Sequence, residues 1–587
     1  MRTKNLFAFC LATCLAGGAT RAALAEFRTI DGSDNNLANP NWGEAEQPLI
    51  RMVTPDYEDG HSVPRGMTTF NPATGMGTSR LANPRDISNT VVAQGNNSFL
   101  NHKGASDWLW QWGQFIDHDF ALEEPTPTSD PFMIPLLDVN DPLRNPMFPF
   151  IPFRRNDAAP GTGVPGTPRE QVNALTAYID GSNVYGSDQA RADFLRTMSG
   201  GQLKTSVGNN GETLLPLNDA TSPFPNANPP VSPGDTPPPA EELFLAGDVR
   251  ANEQIGLTAV HTLFVREHNR LATDLAGRSD LPTLVANAGF NSSNAADVDE
   301  YIYQTVRKAV GAQIQRITYE EFLPMLIGDA LSPYAGYDDT VNATLSNEFA
   351  NAAYRVGHTL LSPTIHLHDD NGKLGEVALR DAFFEPQFTK DNGIETVLKG
   401  LAMQKAQDVD AFIVDEVREF LFAEGNGGLD LAAVNIQRGR DHGLPSYNDV
   451  RRGLGLSPIT DFDDVTTDPG VADALESVYA SIEDIDLWVG AVAEDALPGS
   501  LVGELLSEII ADQFERLRDG DRFFYEGDAD ALTLFPELAD STLSDVILWN
   551  SGIGWMPENA FLAVPEPTGI LLVASAMLLF TTKRRRT

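Results

Sequence analysis

At 587 residues the chain can bury a large core, and length alone permits roughly two to four domains. Its 41 Lys and Arg against 82 Asp and Glu leave a formal net charge of −41. That balance argues against a nucleic-acid-binding role, which needs a basic face, and suits solubility outside the cell or near a surface. At the N-terminus, Arg2 and Lys4, an apolar run from Leu6 to Ala16 and then Ala23-Leu24-Ala25 have the anatomy of a secretory signal peptide, residues 1–25. Lipoprotein processing at Cys14 is the weaker alternative, because Thr13 is a poor residue before the cysteine. Both cysteines, Cys10 and Cys14, lie in this segment, so cleavage after Ala25 leaves a mature chain without disulfide or thiolate chemistry.

Phe27 to Arg51 is polar and turn-rich and should wrap as an extended arm. Trp108 to Phe120 has the spacing of a buried helix, with Gln114, Asp117 and His118 on one face. Asp119 is turned away by about 100° and must address something else. An amide, a carboxylate and an imidazole on an apolar helix are costly unless partnered; the plain alternative is a solvated polar edge. Glu124 to Pro168 reads as surface loop, the place where substrate preference could reside. In Ala174 to Ser187, Thr176, Asp180 and Ser182 supply oxygens of the kind a hard cation takes, though such residues are also ordinary in loops. Ser222 to Ala240 is Pro-rich and reads as an exposed connection.

From Leu245 a helix is predicted to about Ala276, placing Arg250 and Glu253 on one face, where an intrahelical ion pair is the common outcome. His261 and His268 in the same stretch suit packing and helix–helix hydrogen bonds. Leu345 to Leu361 is helix-like and carries His358, on spacing alone a satisfied core histidine. His366-x-His368-Asp369-Asp370 reads as a polar loop rather than a metal site. Leu429 to Asn448 contains Asn435, Arg438 and His442, the last read as structural. Internal repeats, coiled-coil heptads and a His-Glu-x-x-His pattern are not evident.

The string Trp112-Gly-Gln-x-x-Asp-His-Asp119 resembles the distal-haem motif of the animal-type haem peroxidases, the peroxidase–cyclooxygenase superfamily. Asn83 to Asn89, Ala174 to Ser187, Leu245 to Gly256, Tyr354 to Leu361, Leu429 to Asn448 and Gln513 to Tyr525 resemble further blocks of that family, in the right order. The resemblance runs from about Phe27 to Phe561. It implies a mainly α fold: a single large helical haem peroxidase domain of the myeloperoxidase-like type, residues 26–562, with long irregular loops.

The resemblance also implies haem b and Ca²⁺ as cofactors. His358 resembles the axial iron ligand, with Asn435 accepting its ring N–H and with Arg355 and Arg438 pairing the propionates. Asp117 and Glu253 resemble the carboxylates that esterify the haem. Asp119, Thr176, the backbone oxygen of Tyr178, Asp180 and Ser182 are the implied calcium ligands. On the open side, His118 would serve as general base and then general acid, Arg250 would stabilise developing charge and Gln114 would orient a pocket water or small ligand.

The implied activity is reduction of hydrogen peroxide through a ferryl species, with oxidation of a halide, a pseudohalide or a phenolic donor. Gln254 follows Glu253 where one branch has methionine, so a sulfonium link to haem is not available and chloride is a doubtful donor. Two other readings are a fatty-acid oxygenase and a non-catalytic surface or matrix adhesion protein. The oxygenases place a tyrosine three residues before the proximal histidine, where this chain has Arg355. Finally, Pro565-Glu-Pro567, an apolar run from Gly569 to Phe580 and Lys583 to Arg586 resemble the C-terminal sorting signal of bacterial exported proteins, residues 563–587. In that family a membrane protease removes the tail after export; a short membrane anchor is the alternative. The expected location is the periplasm, the cell surface or the medium.

Overall fold

The computed structural model describes residues 26–126, 130–144, 149–221, 223–227, 238–421, 428–528 and 530–564. The signal-peptide segment, most of the C-terminal tail and much of the Pro-rich connection after Ser222 lie outside the described residues. Within them the chain is mostly helical, as expected, and its strands form only two-stranded antiparallel pairs. No helix among the described residues is long and apolar enough to cross a membrane.

The longest helices, Ile255–Ala276 and Ala295–Ile317, pack on each other, and the first also packs on Trp108–Phe120. Each long helix starts at a side-chain cap: Gln254 accepts from the N–H of Gly256, and Asn294 from that of Ala296. Trp108–Phe120 is the centre of the core. Phe115 stacks on Phe264 with ring centroids 5.2 Å apart, and Phe120 meets Tyr354 edge-on at 5.3 Å. The indole N–H groups of Trp108 and Trp112 donate to the Leu398 carbonyl and to Thr318 Oγ1, so these rings are buried without orphaned donors.

The N-terminal arm is turn-rich rather than extended, and it is tied to the C-terminal part of the domain. Arg28 donates to both carboxylate oxygens of Asp521, at 2.7 and 2.6 Å, and Asn35 donates to the same group at 2.9 Å.

Several expectations need correction. The helix expected from Leu245 begins only at Ile255; Arg250 and Glu253 lie in the turn before it. The Asp248 side chain engages the Arg250 backbone N–H and guanidinium, a local pairing that competes with helix. Leu345 to Leu361 is not one helix but a short helix, Asn347–Asn351, followed by a 3₁₀ segment, Ala353–His358. The stretch after Glu124 is irregular but not all surface, because Phe132, Ile134, Ile151 and Phe153 are buried. His366 and His368 lie on a strand, Thr364–Asp369, paired with Gly372–Ala378, where His366 meets Lys373 and Glu376. Helix Glu395–Met403 rides so close on this hairpin that a Cβ at Gly400 would stand 1.7 Å from the His366 carbonyl oxygen.

Helix Leu431–Asp441, which carries Asn435, is anchored at both ends. Asp430 caps its start by accepting from the Ala433 N–H and also takes Arg85 at 2.7 Å. Near its end Arg440 forms a bidentate pair with buried Asp486 at 2.9 and 2.7 Å, and Arg65 and the Tyr479 hydroxyl donate to the same carboxylate. Burial alone would raise the Asp486 carboxyl, but Arg440, Arg65 and Tyr479 hold it below the ordinary aspartate range. Its stabilising contribution is therefore complete above the unfolded value, near pH 4, and is lost as pH falls through the lower folded value. Replacing Asp486→Ala leaves two buried guanidinium groups short of a partner and should cost about 3 kcal/mol. Chemical denaturation at neutral pH would measure this, and an unchanged midpoint would show the network to be dispensable.

Candidate active site

One cavity of about 220 Å³ is lined by residues from several parts of the chain. Helix Trp108–Phe120 contributes Gln114, Asp117 and His118, the face that the spacing predicted. The turn before Ile255 contributes Arg250, Glu253 and Gln254; the 3₁₀ segment contributes Tyr354, Arg355, Gly357 and His358; the rest of the wall is largely apolar. The structure thus brings together seven of the predicted site residues: Gln114, Asp117, His118, Arg250, Glu253, Arg355 and His358.

Asn435 stands behind the cavity, its Nδ2 2.8 Å from His358 Nδ1. Rotating the amide by half a turn exchanges its oxygen and nitrogen. With Oδ1 in that position, Asn435 accepts the Nδ1–H of His358 and leaves the Nε2 lone pair free. Burial, with the nearby Arg355 cation, outweighs the Asn435 contact and pushes the His358 imidazole down to about 3. The ring is therefore neutral at physiological pH, the form that binds metals.

His118 is also kept neutral, by burial and by the adjacent Arg250 charge. Its Nε2 lies 3.7 Å from Glu253 Oε2, and its Nδ1 lies 3.5 Å from Asp248 Oδ1. Arg250 donates to Asp248 from Nε at 2.9 Å and from Nη2 at 2.8 Å, and to the Ala121 carbonyl at 2.8 Å; its Nη1 is 3.6 Å from Asp117 Oδ2. Burial raises the carboxyls of Asp117 and Glu253 despite the arginines beside them, Glu253 to about 7. Arg355 donates to the Ala350 carbonyl at 3.0 Å. Arg438 does not line the cavity; it donates to the Arg154 carbonyl and to Asp441, both at 3.1 Å.

Two participants were not assigned a role from the sequence. Gln254 accepts the Gly256 N–H that caps the long helix and donates to Gln111 at 2.5 Å and to Gln114 at 3.0 Å, so it steadies the Gln114 amide. Asp248 backs both Arg250 and His118. The Asp-x-Arg spacing was the signal, but it is meaningless on a helix, where residues two apart face different ways.

On the other side of the helix, Asp119 meets the Thr176–Ser182 segment. Asp119 accepts the backbone N–H groups of Gly181 and Asn183, each at 3.2 Å, and the Ser182 hydroxyl donates to the Asp119 carbonyl. Asp180 accepts from the Ser182 N–H at 3.0 Å and from the Thr176 hydroxyl at 3.4 Å, and pairs with Arg307 at 3.6 Å. Gly181 has φ +78°, a conformation that brings these groups back toward the helix. Burial raises both the Asp119 and Asp180 carboxyls, with the Asp180 charge adding to it at Asp119 and the Asp521 charge at Asp180. Among the described residues no cluster of three or more His, Cys, Asp or Glu side chains is placed to hold a metal, so any cation here would rely on hydroxyl and carbonyl oxygens as well.

His261 packs edge-on against Phe115, and His268 joins helices through Tyr185 and the Gly201 carbonyl, so only the second makes the hydrogen bonds expected of both. His442 contacts Asn347 at 2.9 Å, a structural role as predicted.

A profile of the family described as animal haem peroxidase matches residues 27–561. Thyroid peroxidase of Sus scrofa is 37% identical over 94% of this chain and 61% of its own length, so the chain spans about three-fifths of that relative. Peroxinectin A of Dictyostelium discoideum is 34% identical over 91% of this chain and 96% of its own. The solved structure of peroxidase A from Dictyostelium discoideum superposes with a TM-score of 0.79 at 34% identity, covering 92% of this chain and all of that one. The match over nearly all of the described domain, with these full-length likenesses, places the chain in the animal haem peroxidase family.

Proposed function

We propose that this protein is a haem peroxidase that reduces hydrogen peroxide and oxidises a small donor. The observation that carries the reading is the joint lining of one cavity by His118, Arg250 and the Asn435-backed His358. The cavity suits haem: its walls are largely apolar, and a Cβ at Gly357, beside His358, would meet nothing within 4 Å. His358 would hold the iron through Nε2, with Arg355, which lines the same cavity, available to a propionate. Bound haem would supply the redox chemistry.

The chain's own groups supply the proton handling. Neutral His118 takes a proton from peroxide at Nε2 and returns it to the leaving oxygen, and Arg250 stabilises the charge that develops there. Gln114, steadied by Gln254, orients the small molecule or a water. Asp117 and Glu253 are the candidates for ester bonds to haem methyls: both line the cavity, and conversion to a neutral ester would relieve the desolvation that raises their carboxyls. Gln254 has no sulfur to offer a third link, so bromide, iodide, thiocyanate or phenols are the preferred donors over chloride. The oxygenase reading is disfavoured by Arg355 three residues before His358 and by the presence of Arg250.

Calcium is part of the same proposal. Asp119, Thr176, the Tyr178 carbonyl, Asp180 and Ser182 would hold it, and a cation between the two repelling carboxylates would let both remain ionised. The ion would tie the catalytic helix to the neighbouring loop. We also propose export, with residues 1–25 as leader and residues 563–587 as a sorting signal read at the membrane.

In a stopped-flow experiment, His118→Ala should retain haem and react with peroxide about 10²–10⁴-fold more slowly. His358→Ala should lose haem or change its absorption spectrum. Unaltered peroxide kinetics in the His118 variant would remove the catalytic assignment. Acidified organic solvent should leave haem on the wild-type protein and strip it from the Asp117→Ala/Glu253→Ala double variant; complete extraction from the wild type would rule out ester bonds. Chelation should lower the thermal midpoint and added Ca²⁺ should restore it, an increment of about 3 kcal/mol at a hundredfold excess over Kd. Asp180→Ala should show no such response, and a wild-type midpoint indifferent to chelator would refute the calcium site.

A further inference from the structure

Asp248 is buried to 1% exposure, yet neither the spacing of the motif nor the proposed chemistry gives it a task. Its carboxylate is fully engaged. Oδ1 accepts from the Arg250 backbone N–H at 2.7 Å and from Nε at 2.9 Å, while Oδ2 accepts from Nη2 at 2.8 Å. The same Nη2 donates to the Ala121 carbonyl at 2.8 Å. A guanidinium has five N–H donors in a rigid fork. Three are thereby occupied, and the two on Nη1 are left on the side of Asp117, which lines the cavity. The clamp turns a long, rotamer-rich side chain into fixed donors.

The other neighbour of Asp248 is His118. Nδ1 of that ring lies 3.5 Å from Oδ1 and has no hydrogen-bond partner of its own. At that distance the hydrogen bond is weak, but a carboxylate in a buried site still favours the tautomer with hydrogen on the nearer nitrogen. Hydrogen on Nδ1 leaves the lone pair on Nε2, the nitrogen that faces Glu253 across the cavity. Asp248 is itself held, because its backbone N–H donates to the Asn183 carbonyl at 3.1 Å, and Asn183 donates to Asp119 on the catalytic helix.

We propose that Asp248 is the positioning residue of this site, one buried carboxylate that fixes both the aim of Arg250 and the tautomer of His118. The proposal rests on the reading of those two residues as the groups that meet the peroxide. Asp248 touches neither peroxide nor haem and acts only through its two neighbours.

The test uses cyanide, an anion that binds haem iron without turnover and can accept a hydrogen bond from Arg250. Haem-loaded Asp248→Asn keeps the side-chain shape and removes the charge. Titration followed by the Soret band should give a cyanide Kd raised about tenfold or more, the consequence of one misdirected charge-assisted hydrogen bond. In the Arg250→Ala background the same substitution should cost much less, since its principal route of action is gone. Wild-type cyanide affinity in Asp248→Asn, or a loss that adds in full to that of Arg250→Ala, would overturn the proposal.

Neutron diffraction of the deuterium-exchanged wild-type protein decides the matter should the variant fail to fold or to hold haem. Deuterium on Nδ1 of His118 is expected, and deuterium on Nε2 alone would overturn the tautomer assignment. Neither readout requires peroxide turnover. A wild-type protein that meets both expectations but ignores peroxide would defeat the proposed function and leave the positioning role intact.

Discussion

The structure is constrained above all by the partial burial of Arg250 beside Asp117, His118 and Glu253. An isolated guanidinium taken from water is costly, and its attraction to one carboxylate repays that cost only when the geometry is good and the remaining donors are met. Asp248 and the Ala121 carbonyl meet three of them. Placing Asp248 there requires that Leu245 to Gln254 not be helical, since residues two apart on a helix cannot share a partner face. The long helix must therefore start late, at Ile255, and it needs a cap that the turn can provide. Gln254 is that cap through its side-chain oxygen, and its amide hydrogens reach Gln111 and Gln114 on helix Trp108–Phe120. A single electrostatic requirement thus sets a turn, a helix start and a contact between two helices.

Helix Trp108–Phe120 has a second consequence. Gln114, Asp117 and His118 face the cavity, while the next residue, Asp119, faces the Thr176–Ser182 segment. A shift of the helix that improved one face would disturb the other. Asn183 couples them further, because it donates to Asp119 and to the Phe115 carbonyl while accepting from Asp248. The segment around Asp119 and Asp180 is therefore a support for the cavity as much as a feature of its own.

Much of this was legible in the sequence. The helical period of Trp108 to Phe120 gave the correct face, and the order of the motif blocks gave the mainly α fold. What misled was local. The polar run from Leu245 reads as the first turns of an amphipathic helix unless one knows that Asp248 will engage its neighbour's backbone, a tertiary outcome of Arg250 having to be buried. Leu345 to Leu361 has helical spacing, but the chain breaks at Ala352, whose φ of −138° and ψ of −69° lie outside the helical range. The apolar residues after Glu124 were hidden among prolines and glycines. Irregular backbone can still bury Phe132 and Phe153 when side chains such as Gln437 satisfy its carbonyls. Arg438 shows the limit of a motif: its position in the block is right, but its donors face Asp441 and Arg154 rather than the cavity.

The three carboxylates around Arg250 separate according to the donors each receives. Burial works against ionisation of all of them. Asp248 collects an N–H from the Arg250 backbone and two from its guanidinium, and it is held well below the ordinary aspartate range. Asp117 and Glu253 have only more distant cations, and their carboxyls are raised. The same burial, with Arg250 adjacent, keeps His118 neutral, so its ring can accept a proton but does not hold one at rest. Groups in close contact are thereby given proton affinities that are pushed apart. Here one geometric fact, the direction in which Arg250 presents its fork, decides which carboxylate stays charged, which two bear the cost of burial, and which imidazole is left free to act.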